Sequence, residues 1–285
     1  MSENLLTKIK RRAWKATFGE DSWVLRTGDF RTKEQHGLIH RANYAYGMLR
    51  AADCAKYFGY SEVTIVEFGV ASGAGLTNMI ELSQLIEEET GIKSRIFGFD
   101  TGAGLPQVDG YKDHPEIWNV GDFTMEDRTA LEKKLGRDAA IVWGDIGQTV
   151  TPFLAQLTEK APIGFISVDV DIYSGARSAL KLLTGATSAY LPAISMYFDD
   201  VSFYFANKWA GELAAIEEFN EDRSLRKIDL DRSLASGRRP GVPRGWYNMM
   251  YVCHVLDHPK RQSSGVRSKL TIKEHAEFMS SKSLF

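Results

Sequence analysis

The chain has 285 residues, 44% hydrophobic and 25% charged, with 35 Lys and Arg against 37 Asp and Glu for a net charge of −2. That balance gives no excess of positive charge to hold nucleic acid, and no apolar run is long enough to suggest a membrane span. Cys54 and Cys253 lie far apart without a CxxC, which argues against a disulfide framework or a structural zinc site and for a reducing, cytoplasmic setting.

The opening MSENLLTKIKRRAWKATFG is interrupted by Lys8, Lys10, Arg11 and Arg12, so a signal peptide is not expected. It reads as a basic amphipathic helix docked on its own domain or on a partner subunit, compatible with a homo-oligomer, with attachment to a membrane surface as the competing reading. Residues 1–40 are therefore set apart as a helical extension, 41–258 as one domain and 259–285 as a polar tail. From residue 42 short apolar runs alternate with amphipathic stretches, as in a parallel sheet covered on both faces. The spacing predicts a helix over 42–59, a strand over 63–69, a helix over 75–89 and a strand over 94–100. Residues 101–124, rich in Gly, Pro and Asp, form a long loop, and such loops are more often functional than incidental. A helix over 125–136, a strand over 139–145, a helix over 149–160 and a strand over 162–171 come next. A helix from 174, a strand over 193–200, a helix over 211–223 and strands within 225–230 and 247–258 complete the chain. The fold class is α/β, a doubly wound sheet of seven mostly parallel strands.

Where the first strand turns into a helix, VEFGVASGAGL carries Glu67, Gly69, Ala71, Gly73 and Gly75. Glycines there let a ligand approach the backbone, and the helix start offers free N–H groups. The spacing fits neither a GxGxxG fingerprint, since Asn78 stands where a glycine is needed, nor a Walker A loop. Asp100 ends the second strand, where an acid can accept both hydroxyls of a ribose. This pairing of VEFGVASGAGL with IFGFD resembles the cofactor site of class I S-adenosylmethionine-dependent methyltransferases, with their Rossmann-like fold. The resemblance implies that Gly69, Ala71, Gly73 and Asp100 contact the cofactor and that Glu67 organises the loop. It also places Asp145, in GDI, beside the adenine; a plain turn is the competing reading.

Acids also close the later strands: Asp169 ends the fourth, and Asp199 with Asp200 ends the fifth. In a doubly wound sheet these ends meet beside the first strand, and three converging carboxylates suit a hard cation such as Mg²⁺. DTGAGLP, VDVDIYSG and YFDD resemble the macrocin O-methyltransferase family, which methylates sugar hydroxyls with a divalent metal. The resemblance covers roughly 41–258 and departs from the family at Gly102 and in the longer link TGATSAYLP. It implies a small-molecule or sugar acceptor, Asp169, Asp199 and Asp200 as metal ligands, and Asp169 as proton acceptor. Asp171 is left without a role. Rival readings are a DxD glycosyltransferase and a dehalogenase-like phosphatase, neither of which requires the glycine turn together with Asp100, and a non-catalytic methyltransferase-like binding protein, against which the retention of every cofactor and metal position argues. Tyr44 and Tyr46 are expected to be core, His114 either a substrate contact or solvated, and Glu212 and Glu218 part of a wet helix face.

Overall fold

The computed structural model describes residues 19–234 and 245–262, with Lys10, Trp14 and Thr17. Most of the expected N-terminal helix and the tail beyond 262 lie outside the described residues. In chain order the elements are α1 (Glu20–Thr27), α2 (Phe30–Gln35), α3 (Ala42–Tyr57), β1 (Glu62–Phe68), α4 (Ala74–Thr90) and β2 (Lys93–Asp100). Then come α5 (Arg128–Leu135), β3 (Ala139–Trp143), α6 (Ile146–Leu154), β4 (Ile163–Val168) and α7 (Tyr173–Leu180). β5 (Tyr190–Phe198), α8 (Gly211–Asp222), β6 (Arg226–Leu230), β7 (Met250–Val255) and the short α9 (Pro259–Gln262) complete them.

The strands form one sheet in the order β3-β2-β1-β4-β5-β7-β6. Neighbours from β3 through β5 are parallel, and β7 runs antiparallel between β5 and β6. The central strands are apolar on both faces because both are covered: Val63 and Ile65 of β1 pack under α3 and α4, whereas Val66 and Phe68 belong to the core beneath α6, α7 and α8. A strand buried on two sides cannot show the alternation of a half-exposed one, which is why these runs read so plainly.

The flanking segments are tied to this body. Arg31 of α2 makes a two-pronged pair with Asp53 of α3 and donates to Glu89 of α4 at 2.7 Å, so residues of the extension clamp two core helices. Arg261 of α9 donates to the Pro192 carbonyl at 2.7 Å, and His258 meets the Tyr190 carbonyl at 3.0 Å.

Two boundaries differ from expectation. α6 begins at Ile146 and ends at Leu154, earlier than the expected 149–160, because the Asp145 carboxylate caps it by accepting from the Gln148 N–H at 3.2 Å. β5 begins at Tyr190, inside the link read as loop. There the Tyr190 hydroxyl is held by the Gly185 N–H and the Leu182 carbonyl, both at 2.6 Å.

Candidate active site

The order reverses between β1 and β4, and ligands of open α/β sheets sit at the carboxyl ends of strands at such a point. β1 ends on Gly69, whose N–H donates to the Phe99 carbonyl of β2, while the Asp169 N–H donates to the Phe68 carbonyl. An added Cβ on Gly69, at φ 83°, would stand 1.7 Å from the Asp169 carbonyl oxygen. Only glycine lets the cofactor turn and the acidic strand end approach so closely.

A cleft of about 450 Å³ opens here, a size suited to a nucleoside cofactor. Its lining includes Gly69, Ala71, Asp100, Asp145, Asp169 and Asp171. Apolar walls come from Phe99, Ile146 and Ile172, and the 101–124 loop contributes Leu105, Pro106 and Phe123, giving the long loop the place its length suggests. Asp100 accepts from the Val70 and Ala71 N–H groups at 2.8 and 3.0 Å and from the Gly102 N–H at 2.5 Å. It therefore shapes the turn, and a carboxylate has lone pairs left to offer the cleft. Asp145 caps α6 and lines the cleft.

Glu67 and Gly73 are not in the cleft lining. Gly73 adopts φ 77° at the start of α4, with Leu131 filling the space a side chain would need. Glu67 lies beneath the turn, 2% exposed; its Oε1 accepts from the Tyr44 hydroxyl at 2.7 Å, and Ser167 donates to that hydroxyl in turn. Gly75 makes room for it, since a Cβ there would fall 1.8 Å from Glu67 Oε1. Glu67 thus sits beneath the turn, outside the cleft lining, and Tyr44 and Tyr46 are core as expected.

Burial outweighs the Tyr44 hydrogen bond and the nearby Arg41, and pushes the Glu67 carboxyl up from 4.5 to about 7. The unfolded chain releases this proton near pH 4.5, whereas the folded chain keeps it until about pH 7. The resulting cost to stability is absent below the lower value and complete above the upper one, on the order of 3 kcal/mol. Thermal melts of wild type and Glu67→Gln should therefore diverge as pH rises from 5 to 8, with wild type losing ground; parallel curves would contradict this.

Asp169, Asp199 and Asp200 come together as the sheet order implies. Each offers an oxygen within 4.8 Å of the others, and among the described residues this is the one such group of three. Burial first, then Asp199 and Asp200, raises the Asp169 carboxyl to about 8; burial, then Asp171 and Asp199, raises Asp200 to about 7. Asp199 is held by the Tyr197 hydroxyl. Asp171, raised to about 6 by burial and Asp199, sits at φ 64°, a left-handed backbone that costs a non-glycine residue about 1 kcal/mol or more.

Two expectations are corrected. His114 is 3% exposed, its Nδ1 2.8 Å from Glu116 Oε1 and its ring edge-on to Phe203, so it is a wedge under the loop and not solvated. Glu212 is fully buried, not on a wet face. Its Oε2 accepts from the Asp200 N–H at 3.0 Å, while Glu212 Oε1 and Asp200 Oδ2 are buried without a hydrogen-bond partner. Buried unpaired oxygens cost about 1–3 kcal/mol each, so a cation answers a need of this site. The signal for Glu212 was present in the sequence: Ala215, Ile216 and Phe219 stand at i+3, i+4 and i+7 from it, on the stripe that faces the core.

Sheet order, the antiparallel seventh strand and the turn at the end of β1 make this the Rossmann-like methyltransferase fold expected from the sequence. No protein-family model matches the chain, and no curated protein matches it. Among solved structures it is similar to CalS11, a calicheamicin methyltransferase, at 18% identity and TM-score 0.48 over 89% of this chain and 94% of that one. The O-methyltransferase NovP is similar at 14% identity and TM-score 0.44, over 64% of this chain and 72% of that one. The plantazolicin methyltransferase BamL follows at 8% identity and TM-score 0.37, over 88% and 95%. Identities this low say nothing of substrate.

Proposed function

We propose that the chain is an S-adenosylmethionine-dependent O-methyltransferase that acts on a hydroxyl of a small molecule or sugar with the help of a divalent cation such as Mg²⁺. The observation that carries this reading is the contact at Gly69, which sets a nucleoside-sized cleft directly against a three-carboxylate cluster. Gly69, Ala71, Asp100 and Asp145 would hold the cofactor, and Asp169, Asp199 and Asp200 the cation.

Methyl transfer from a sulfonium releases a neutral thioether, so the leaving group needs no acid. The difficulty lies in the acceptor, whose hydroxyl is barely ionised near neutral pH; a cation held by Asp169, Asp199 and Asp200 would supply the Lewis acidity that eases its ionisation. The protein's share is alignment, supplied by rigid strand ends on both sides of the cleft. Asp169, which belongs to both cleft and cluster, is placed to accept the proton. Asp171 lines the same cleft outside the cluster and is the second carboxylate that can do so.

A cytoplasmic location belongs to this reading: both cysteines are buried free thiols, and no described helix is long and apolar enough to cross a membrane. The test is transfer of a labelled methyl group from S-adenosylmethionine to a panel of sugar and phenolic hydroxyls. Activity should vanish on chelation and return with Mg²⁺ or Mn²⁺. Full turnover after exhaustive chelation would remove the cation from the reading.

A further inference from the structure

Glu212 has no part in the cluster of three, yet it is the most deeply buried acid beside it. An acid in the first turn of a helix ordinarily serves the free amides of that helix. Glu212 instead reaches across to the main chain of Asp200, accepting its N–H at 3.0 Å, at the point where β5 breaks into the short 3-10 turn Asp199–Val201. No side chain caps α8, so the residue has passed over its local partners for this one. It also lies close enough to Asp200, Asp169 and Asp199 for all three to bear on its charge. Its Oε1 and the neighbouring Asp200 Oδ2 are both buried and lack a hydrogen-bond partner.

Such a carboxyl is costly to bury, and in the metal-free chain the Asp200 N–H is the one hydrogen bond it gains in return among the described residues, so the two roughly cancel in stability. We infer that Glu212 is a positioning residue for the cation site: by gripping the Asp200 amide from behind, it fixes the Asp199–Asp200 turn so that both carboxylates face the ion held with Asp169. This rests on the cation reading above and extends it to a residue that lies outside the cluster. The Asp200 amide is thus held on Glu212, on the side away from the cleft lining.

The experiment is titration of the full chain with Mn²⁺ alone, following free ion by its electron paramagnetic resonance signal, with thermal melts and S-adenosylhomocysteine calorimetry alongside. Glu212→Met, which keeps volume but removes the acceptor, should weaken Mn²⁺ at least tenfold while the metal-free melting temperature and the nucleoside affinity stay close to wild type. Glu212→Gln retains an oxygen for the Asp200 N–H and can offer its amide N–H to Asp200 Oδ2, so its Mn²⁺ affinity should lie within about threefold of wild type. Glu212→Asp, one methylene too short for the grip, should bind as weakly as Glu212→Met, and carries the test if the Met variant does not fold. Wild-type affinity in the Met and Asp variants, or a Gln variant as weak as Met, overturns the inference alone. Wild-type protein whose Mn²⁺ binding is unaffected by Asp199→Asn overturns the cation reading, and the inference with it.

Discussion

Replacing Asp199 or Asp200 by Ala is expected to lower methyl transfer at least 10³-fold, about 4 kcal/mol of transition-state stabilisation, with S-adenosylhomocysteine affinity kept within about threefold. The separation follows from position. Neither residue lines the cleft, whereas both complete the carboxylate cluster with Asp169. In the metal-free protein the same changes should not lower the melting point, because Asp199 and Asp171 both push the Asp200 carboxyl up, and removing one acid relieves that repulsion. Turnover assays with and without added Mg²⁺, calorimetry and melts on one preparation decide the matter. A parallel loss of nucleoside affinity would mean that the acids serve the cleft directly and that the two halves of the site are not separate.

Gly69→Ala should be the most damaging glycine-to-alanine change among the described residues. The new Cβ would lie 1.7 Å from the Asp169 carbonyl oxygen, a main-chain atom one residue past the end of the β1–β4 ladder, and φ 83° already disfavours any side chain. Relief requires β1 and β4 to part at the switch point, so a loss of at least about 3 kcal/mol is expected, together with loss of cofactor binding. Gly59→Ala is the control: φ is 79° there but nothing lies within 4 Å of the added atom, so only the backbone cost of about 1 kcal/mol applies. Urea unfolding of the two variants measures the difference. Equal costs would show that conformation alone, and not the approach of the strand ends, explains the glycine.

Much of this site is legible in the sequence because its parts sit where a regular fold must put them. Parallel strands buried on both faces read as apolar runs, and the residue that ends each run is a strand end by construction. Asp100, Asp169 and the Asp199–Asp200 pair could therefore be placed, and their convergence follows from strand order. What stayed hidden depends on contacts between elements distant in sequence. Asp145 reads as a strand-end acid, and only the structure shows that it also caps α6 and so draws the helix forward. His114 reads as a loop residue because nothing local reports that Phe203, some ninety positions on, will press against it. Glu67 shares the glycine motif with the cleft residues, but strand alternation turns it toward Tyr44, beneath the turn, a partner 23 positions away that nothing local reports. Glu212 was masked by the habit of reading helix acids as solvent-facing, although its register with Ile216 and Phe219 pointed inward.

The central claim is that the cleft at the end of β1 binds a sulfonium nucleoside, and calorimetric titration of the wild-type chain with S-adenosylhomocysteine tests it most directly. A single-site isotherm with micromolar affinity is expected, weakened at least tenfold by Asp100→Ala. The absence of binding heat with S-adenosylhomocysteine, alongside saturable binding of a UDP-sugar in the presence of Mn²⁺, would contradict it and turn the acidic strand ends over to glycosyl transfer.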